Sequence, residues 1–147
     1  MNLKSLLEYK NKSVLFVGIG NVLRSDDGVG VYISKKLKKR ENIKIITVEV
    51  SIENYIGKIN NFQSDIIVLI DSVNFNREPG YYNLASVNEL IDFTTNTHNI
   101  SLKNISALFK GEVKILGIQP ESIELGENLT FRIKKTADKI ITLINDY

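Results

Sequence analysis

The sequence predicts an α/β fold, a three-layer α/β/α arrangement with a mainly parallel, twisted central sheet of about five strands and helices on both faces. Three observations carry this. Apolar runs such as Ile66-Ile67-Val68-Leu69-Ile70 are continuous rather than alternating, as expected of a parallel strand covered on both sides. Strand-like and helix-like segments alternate along the chain, which implies βαβ units. A glycine-bearing loop that starts at Gly18-Ile19-Gly20 follows the apolar run Val14-Leu15-Phe16-Val17 and leads into an amphipathic stretch. A strand–loop–helix unit of this kind builds ligand sites in such folds.

In chain order, Leu3 to Tyr9 suits one or two helical turns, and Val14 to Val17 a buried strand. Gly28 to Lys39 reads as a helix, with Val29, Tyr32, Ile33 and Leu37 near one face and lysines opposite. The basic run from Lys35 to Arg40 is then the solvated C-terminal end of that helix, where cations are favourable. Ile43 to Val50 is β-branched and reads as a strand, Ile52 to Phe62 as a helix. Ile66 to Ile70 is the central strand, ending at Asp71. Glu78-Pro79-Gly80 marks a turn, and Tyr81 to Ala85 a strand. A turn that short makes an antiparallel neighbour, not a parallel crossover. No pattern decides Val87 to Thr97. Ile100 to Phe109 reads as a helix with Gly111 as its C′ residue. Val113 to Ile118 reads as a strand closed by Gln119-Pro120. The last helix spans about Leu129 to Ile144, with Leu129, Ile133, Ala137, Ile140 and Ile144 on one face and the Thr130 hydroxyl as N-cap.

Composition bounds the function. The 147 residues suit a single domain, 1–147, with one core. The net charge of +2 raises no field strong enough to point to nucleic acid or an anionic membrane. The absence of cysteine excludes disulfides, thiolate metal sites, Fe–S clusters and cysteine nucleophiles. No run is long and apolar enough for a membrane span, and no signal-peptide pattern occurs, so a cytoplasmic location is expected.

The fold expectation brings three residues to one rim. Ligands of such sheets bind beyond the carboxyl ends of the strands. Asp27 follows the first strand, Asp71 ends the central one, and His98, the single histidine, precedes a helix. Two carboxylates and one imidazole suit borderline divalent ions such as nickel, zinc or iron. With one histidine and no thiolate, zinc should be held more weakly than in sites with two or three histidines.

Plainer roles compete. Asp26 and Asp27 suit helix capping, Asp71 suits bonding of loop amides, and His98 suits a cap. Adjacent Asp26 and Asp27 point about 100° apart on a helix, so separate jobs are expected. Gly18, Gly20 and Gly28 suit backbone geometry that a Cβ would obstruct. Asn21 suits hydrogen bonding within the loop or to substrate, and Gln119-Pro120 shaping of the last loop. A dinucleotide fingerprint fails at Leu23, where the third glycine belongs. No P-loop or nucleophile elbow occurs.

At these residues the chain resembles the hydrogenase maturation endopeptidases, the processing proteases of [NiFe]-hydrogenases. The resemblance runs over Gly18-Ile19-Gly20-Asn21 to Asp26-Asp27-Gly28-Val29-Gly30, Ile70-Asp71, Thr97-His98 with Leu102, and Leu116-Gly117-Ile118-Gln119-Pro120-Glu121 on to Glu124-Leu125-Gly126 and Leu129-Thr130. The final segment is most similar to the branch acting on membrane-bound or formate-linked hydrogenases. The segment between Asp71 and His98 is short and irregular, which leaves substrate preference open.

The resemblance implies an endopeptidase that removes the C-terminal extension of a [NiFe]-hydrogenase large-subunit precursor after nickel insertion. It implies Asp27, Asp71 and His98 as nickel contacts and catalytic residues. The nickel would arrive with the substrate, with no organic cofactor, and the expected form is a monomer. The competing readings are a non-enzymatic metal-binding chaperone, a nucleotide-binding protein of the same fold, and an autonomous zinc peptidase.

Overall fold

A computed structural model describes residues 2–93 and 97–147, the side chains of 91–101 excepted. The elements are α1 (Leu3–Leu7), β1 (Val14–Ile19), α2 (Val29–Lys36), β2 (Ile43–Glu49), α3 (Ile56–Asn61), β3 (Ile66–Ser72), β4 (Tyr82–Ser86), α4 (Val87–Phe93), α5 (Thr97–Ser106), β5 (Glu112–Ile118) and α6 (Phe131–Asn145). The strands form one five-stranded sheet in the order β2-β1-β3-β5-β4. β1, β2, β3 and β5 are parallel, and β4 runs antiparallel along β5. The mainly parallel sheet of the sequence expectation is therefore present. The Pro-Gly turn does reverse the chain, but the new strand pairs with β5, leaving β3 between β1 and β5.

The continuous apolar strands are explained by what covers them. Val14 and Phe16 of β1 and Ile66, Val68 and Ile70 of β3 pack with α1, α2 and α6. Their alternates, Leu15, Val17 and Ile19 of β1 and Ile67 and Leu69 of β3, pack with Ile59 of α3, Leu90 of α4 and Leu102 of α5. Successive strand side chains point to opposite faces, so both classes must be apolar when both faces are covered. The single core expected from length is thus two cores, separated by the sheet.

Local boundaries differ where tertiary contacts win. α2 stops at Lys36, before the expected Lys39, because Leu37 is extended (φ −74°, ψ 145°). Lys35, Lys36, Lys38 and Lys39 are exposed, as a solvated basic segment requires, but Arg40 turns inward. Its Nη2 donates to the Ile144 carbonyl (2.8 Å), capping α6 rather than its own helix. The segment Ile52 to Phe62 divides into a 3₁₀ turn, Ile52–Tyr55, and α3. Val87 to Phe93, which had no deciding pattern, is helical.

Two cap expectations are corrected. α5 ends at Ser106, well before Gly111, and Gly111 has no left-handed φ. A Cβ there would lie 2.6 Å from the Ser64 carbonyl oxygen, so the glycine serves close packing of the chain entering β5. Thr130 does sit at the N-cap position of α6, but its side chain makes no capping hydrogen bond. The hydroxyl donates to Asp26 instead (2.9 Å).

Candidate functional site

The strand order reverses beside β1: the chain proceeds from β1 to β2 on one side, then to β3 on the other. Loops leaving β1 and β3 diverge there and open a crevice at the carboxyl rim. A cleft of about 290 Å³ occupies that place. Asn21, Arg24 and Asp27 line it from the loop after β1, Val50 and Ile52 from the segment after β2, Asp71 from β3, and Leu102 from α5. The predicted residues Asp27 and Asp71 are therefore brought together. The third, His98, falls in the first turn of α5, and its side chain lies outside the described residues. Among the described residues, no three potential metal-ligating side chains are grouped closely enough to hold a metal ion.

Asp71 is only 2% exposed. It follows Ile67 and Leu69 in the alternation of β3, so it belongs to the α5 face, where Leu102 also lies. Its Oδ1 accepts the Ser72 backbone N–H (2.8 Å). Asp27 is half-buried. Its Oδ2 accepts the Asn21 N–H (3.0 Å) and its Oδ1 accepts the Ser72 hydroxyl (2.7 Å). Ser72 thus donates to both acids. The Asn21 side chain closes the loop itself, with Oδ1 accepting the Leu23 N–H (2.9 Å).

Asp26 has a different task. It is fully buried and lies in a 3₁₀ turn, Ser25–Gly28, ahead of α2. Rather than capping α2, its carboxylate accepts the backbone N–H groups of Glu121 (3.0 Å), Ser122 (3.0 Å) and Thr130 (2.8 Å), besides the Thr130 hydroxyl. Backbone bonds continue the lacing: Ser25 N–H to the Gly126 carbonyl, Asp26 N–H to Ser122, and Gly126 N–H to Leu23. Neighbouring acids with separate partners are what their divergent directions imply.

Gly20 and Gly30 let this loop lie where it does. Gly20 has φ +138°, and a Cβ would collide with the Asp27 carbonyl oxygen. A Cβ on Gly30 would strike the Ile70 carbonyl oxygen, so α2 sits directly against β3. Gln119 shapes the rim on the other side: its Oε1 accepts the N–H groups of Phe75 (2.6 Å) and Arg77 (3.3 Å).

Two residues of the site lie outside the candidates that the sequence pattern selects. Arg24 lines the cleft and donates from Nη1 to the Ile123 carbonyl (3.3 Å). Ser72 links the two acids through its hydroxyl and its backbone N–H. The dipeptide Asp71-Ser72 at the end of an apolar strand was the available hint. Chemically, the cleft presents two acids held by hydrogen bonds, with Arg24 in its lining.

The family model for hydrogenase maturation proteases matches residues 29–146. The chain belongs to the hydrogenase maturation protease family. A protein of Methanocaldococcus jannaschii described as a hydrogenase maturation protease is 30% identical, covering 92% of this chain and 96% of its own length. The delta subunit of coenzyme F420 hydrogenase from Methanothermobacter thermautotrophicus is 28% identical over 90% of this chain and 92% of that one. Among solved structures, the [NiFe] hydrogenase maturation protease HycI from Thermococcus kodakarensis superposes with a TM-score of 0.80 at 27% identity, covering 98% of this chain and 96% of that chain. The maturating endopeptidase HybD from E. coli, at 22% identity and TM-score 0.70 over 91% and 93%, shares the fold. As a family member, the chain is a peptidase of hydrogenase maturation. Among the described residues, no helix is long and apolar enough to cross a membrane.

Proposed function

We propose that this protease removes the C-terminal extension of a [NiFe]-hydrogenase large-subunit precursor once nickel is in place, acting in the cytoplasm. Asp27, Asp71 and His98 contact the nickel, which is part of the substrate. The observation that carries this reading is the convergence of Asp27 and Asp71 on one cleft at the switch point of the sheet. His98 fits by position: Leu102, four residues further along α5, lines the same cleft, and positions spaced by four share a helix face.

The electrostatics explain why cleavage would wait for metal. Two carboxylates that line one cleft gather negative charge there, and an approaching divalent cation is drawn to it. A precursor without nickel lacks this gain, so affinity itself acts as a checkpoint. In the bound complex the metal can polarise the scissile carbonyl, orient the chain or activate a water.

Mass spectrometry of a large-subunit precursor, with and without nickel, tests the proposal. Nickel-dependent loss of a single C-terminal peptide is expected. An unchanged mass with a properly metallated cognate precursor would move the chaperone reading ahead. Asp71→Ala should slow processing by about two to four orders of magnitude, the worth of a group acting on the reacting centre, while circular dichroism stays unchanged. Wild-type processing by Asp71→Ala would remove the metal-contact reading.

A further inference from the structure

We infer that Ser72 is a positioning residue that holds both carboxylates in the orientation that receives the metal. This rests on the reading of Asp27 and Asp71 as metal contacts and goes beyond it by naming what aims them. Ser72 is the last residue of β3 and follows Asp71 directly, so the two side chains leave the strand on opposite faces. Asp71 takes the α5 side. Ser72 takes the α2 side, the side from which the loop bearing Asp27 crosses the rim. The Ser72 hydroxyl meets Asp27 Oδ1 at 2.7 Å, and its backbone N–H meets Asp71 Oδ1 at 2.8 Å. One residue therefore spans the strand end and donates one hydrogen to each acid.

Each of these hydrogen bonds occupies one acceptor direction of a carboxylate oxygen and leaves the others for a cation. Asp27 is held at both oxygens, by Ser72 and by the Asn21 N–H, so its carboxylate plane is set before any metal arrives. Without the hydroxyl, repulsion from Asp71 is free to rotate Asp27 out of the cleft. The backbone donor to Asp71 survives any substitution, so side-chain replacement isolates the Asp27 arm. Groups that orient metal-contacting carboxylates are typically worth about 10–100-fold in metal affinity.

Titration calorimetry of the purified protein with nickel(II) alone tests this, with Ser72→Ala, Ser72→Thr and Asp71→Ala compared with wild type. Ser72→Ala should weaken nickel binding about 10–100-fold while its circular dichroism and cooperative melting persist. Ser72→Thr, which keeps the hydroxyl and suits a strand, should restore affinity to within a few-fold of wild type. A merely structural role would instead change the melting profile and leave affinity unchanged. Wild-type affinity in Ser72→Ala, with binding lost in Asp71→Ala, overturns the role of Ser72 and leaves the metal-contact reading standing. Nickel binding untouched by Asp71→Ala overturns both. If wild type binds no free nickel, processing of the nickel-loaded precursor is read instead: full activity in Ser72→Ala overturns the role of Ser72 alone, and full activity in Asp71→Ala overturns both.

Discussion

At the scale of the residue, two adjacent aspartates do opposite things because their surroundings differ. Asp27 meets a cleft, whereas Asp26 is enclosed and answers three backbone N–H groups and a hydroxyl. Buried donors deprived of an acceptor cost about 1–3 kcal/mol each. Asp26→Ala is therefore expected to destabilise the protein by at least about 3 kcal/mol. Asp26→Asn should fare little better, since it places an N–H₂ donor against N–H donors. Urea unfolding reads this as a lower midpoint with an unchanged slope. Asp27→Asn keeps the side chain's shape at a half-buried position, so its midpoint should stay close to wild type while processing falls. A shared large loss of stability would mean that the two acids are not divided in task.

At the scale of the element, α2 is the lever that sets the site. It follows the Asp27 loop and touches β3 through Gly30. Gly30→Ala should push helix and strand apart at a cost of about 1–3 kcal/mol, as overpacking generally does, and displace Asp27 with it. Thermal melting and processing should therefore fall together in that variant, unlike Asp71→Ala. α6 closes the same face and is capped from outside by Arg40, through Ile144 and Asn145 carbonyls. Arg40→Ala should cost about 1 kcal/mol with processing intact, because α6 carries no residue of the cleft. Loss of processing at full stability in that variant would contradict the placement of the site.

At the scale of the molecule, pH acts through groups that tie elements together. Tyr32 of α2 donates to Asp138 of α6 (2.7 Å). Burial, then the hydrogen bond and the charge of Asp138, push its phenol up to about 12. The neutral phenol is favoured by the fold, so its stabilisation is complete below its unfolded value of 10.0 and is lost as pH rises through about 12. Tyr32→Phe should remove this share of the alkaline decline in melting temperature. At the other end of the range, the Ser13 backbone N–H, followed by its hydroxyl, holds Asp65 below its ordinary value of 3.8. The bond joins the starts of β1 and β3. Its contribution is present above 3.8 and is lost as pH falls through the lower folded value. Asp65→Asn should flatten that acid limb. Unaltered limbs in both variants would assign the pH response to other groups.

The sheet strands, the helical face of α6 and the rim position of Asp27 and Asp71 were legible because each follows from local pattern. An unbroken apolar run demands cover on both faces, a 3.6-residue period demands one, and an acid closing such a run needs a partner. His98 also stood out in the sequence as an imidazole at the same expected rim. What local pattern could not decide depends on partners far away in the chain. Gly111 reads as a helix stop until Ser64 is placed against it. Thr130 reads as a cap until Asp26 claims its hydroxyl across more than a hundred residues. Ser72 gains meaning only when strand alternation sends it toward Asp27 and its neighbour the other way. Periodicity encodes which surface a residue faces, whereas hydrogen bonds between loops form only after the sheet has set those loops side by side.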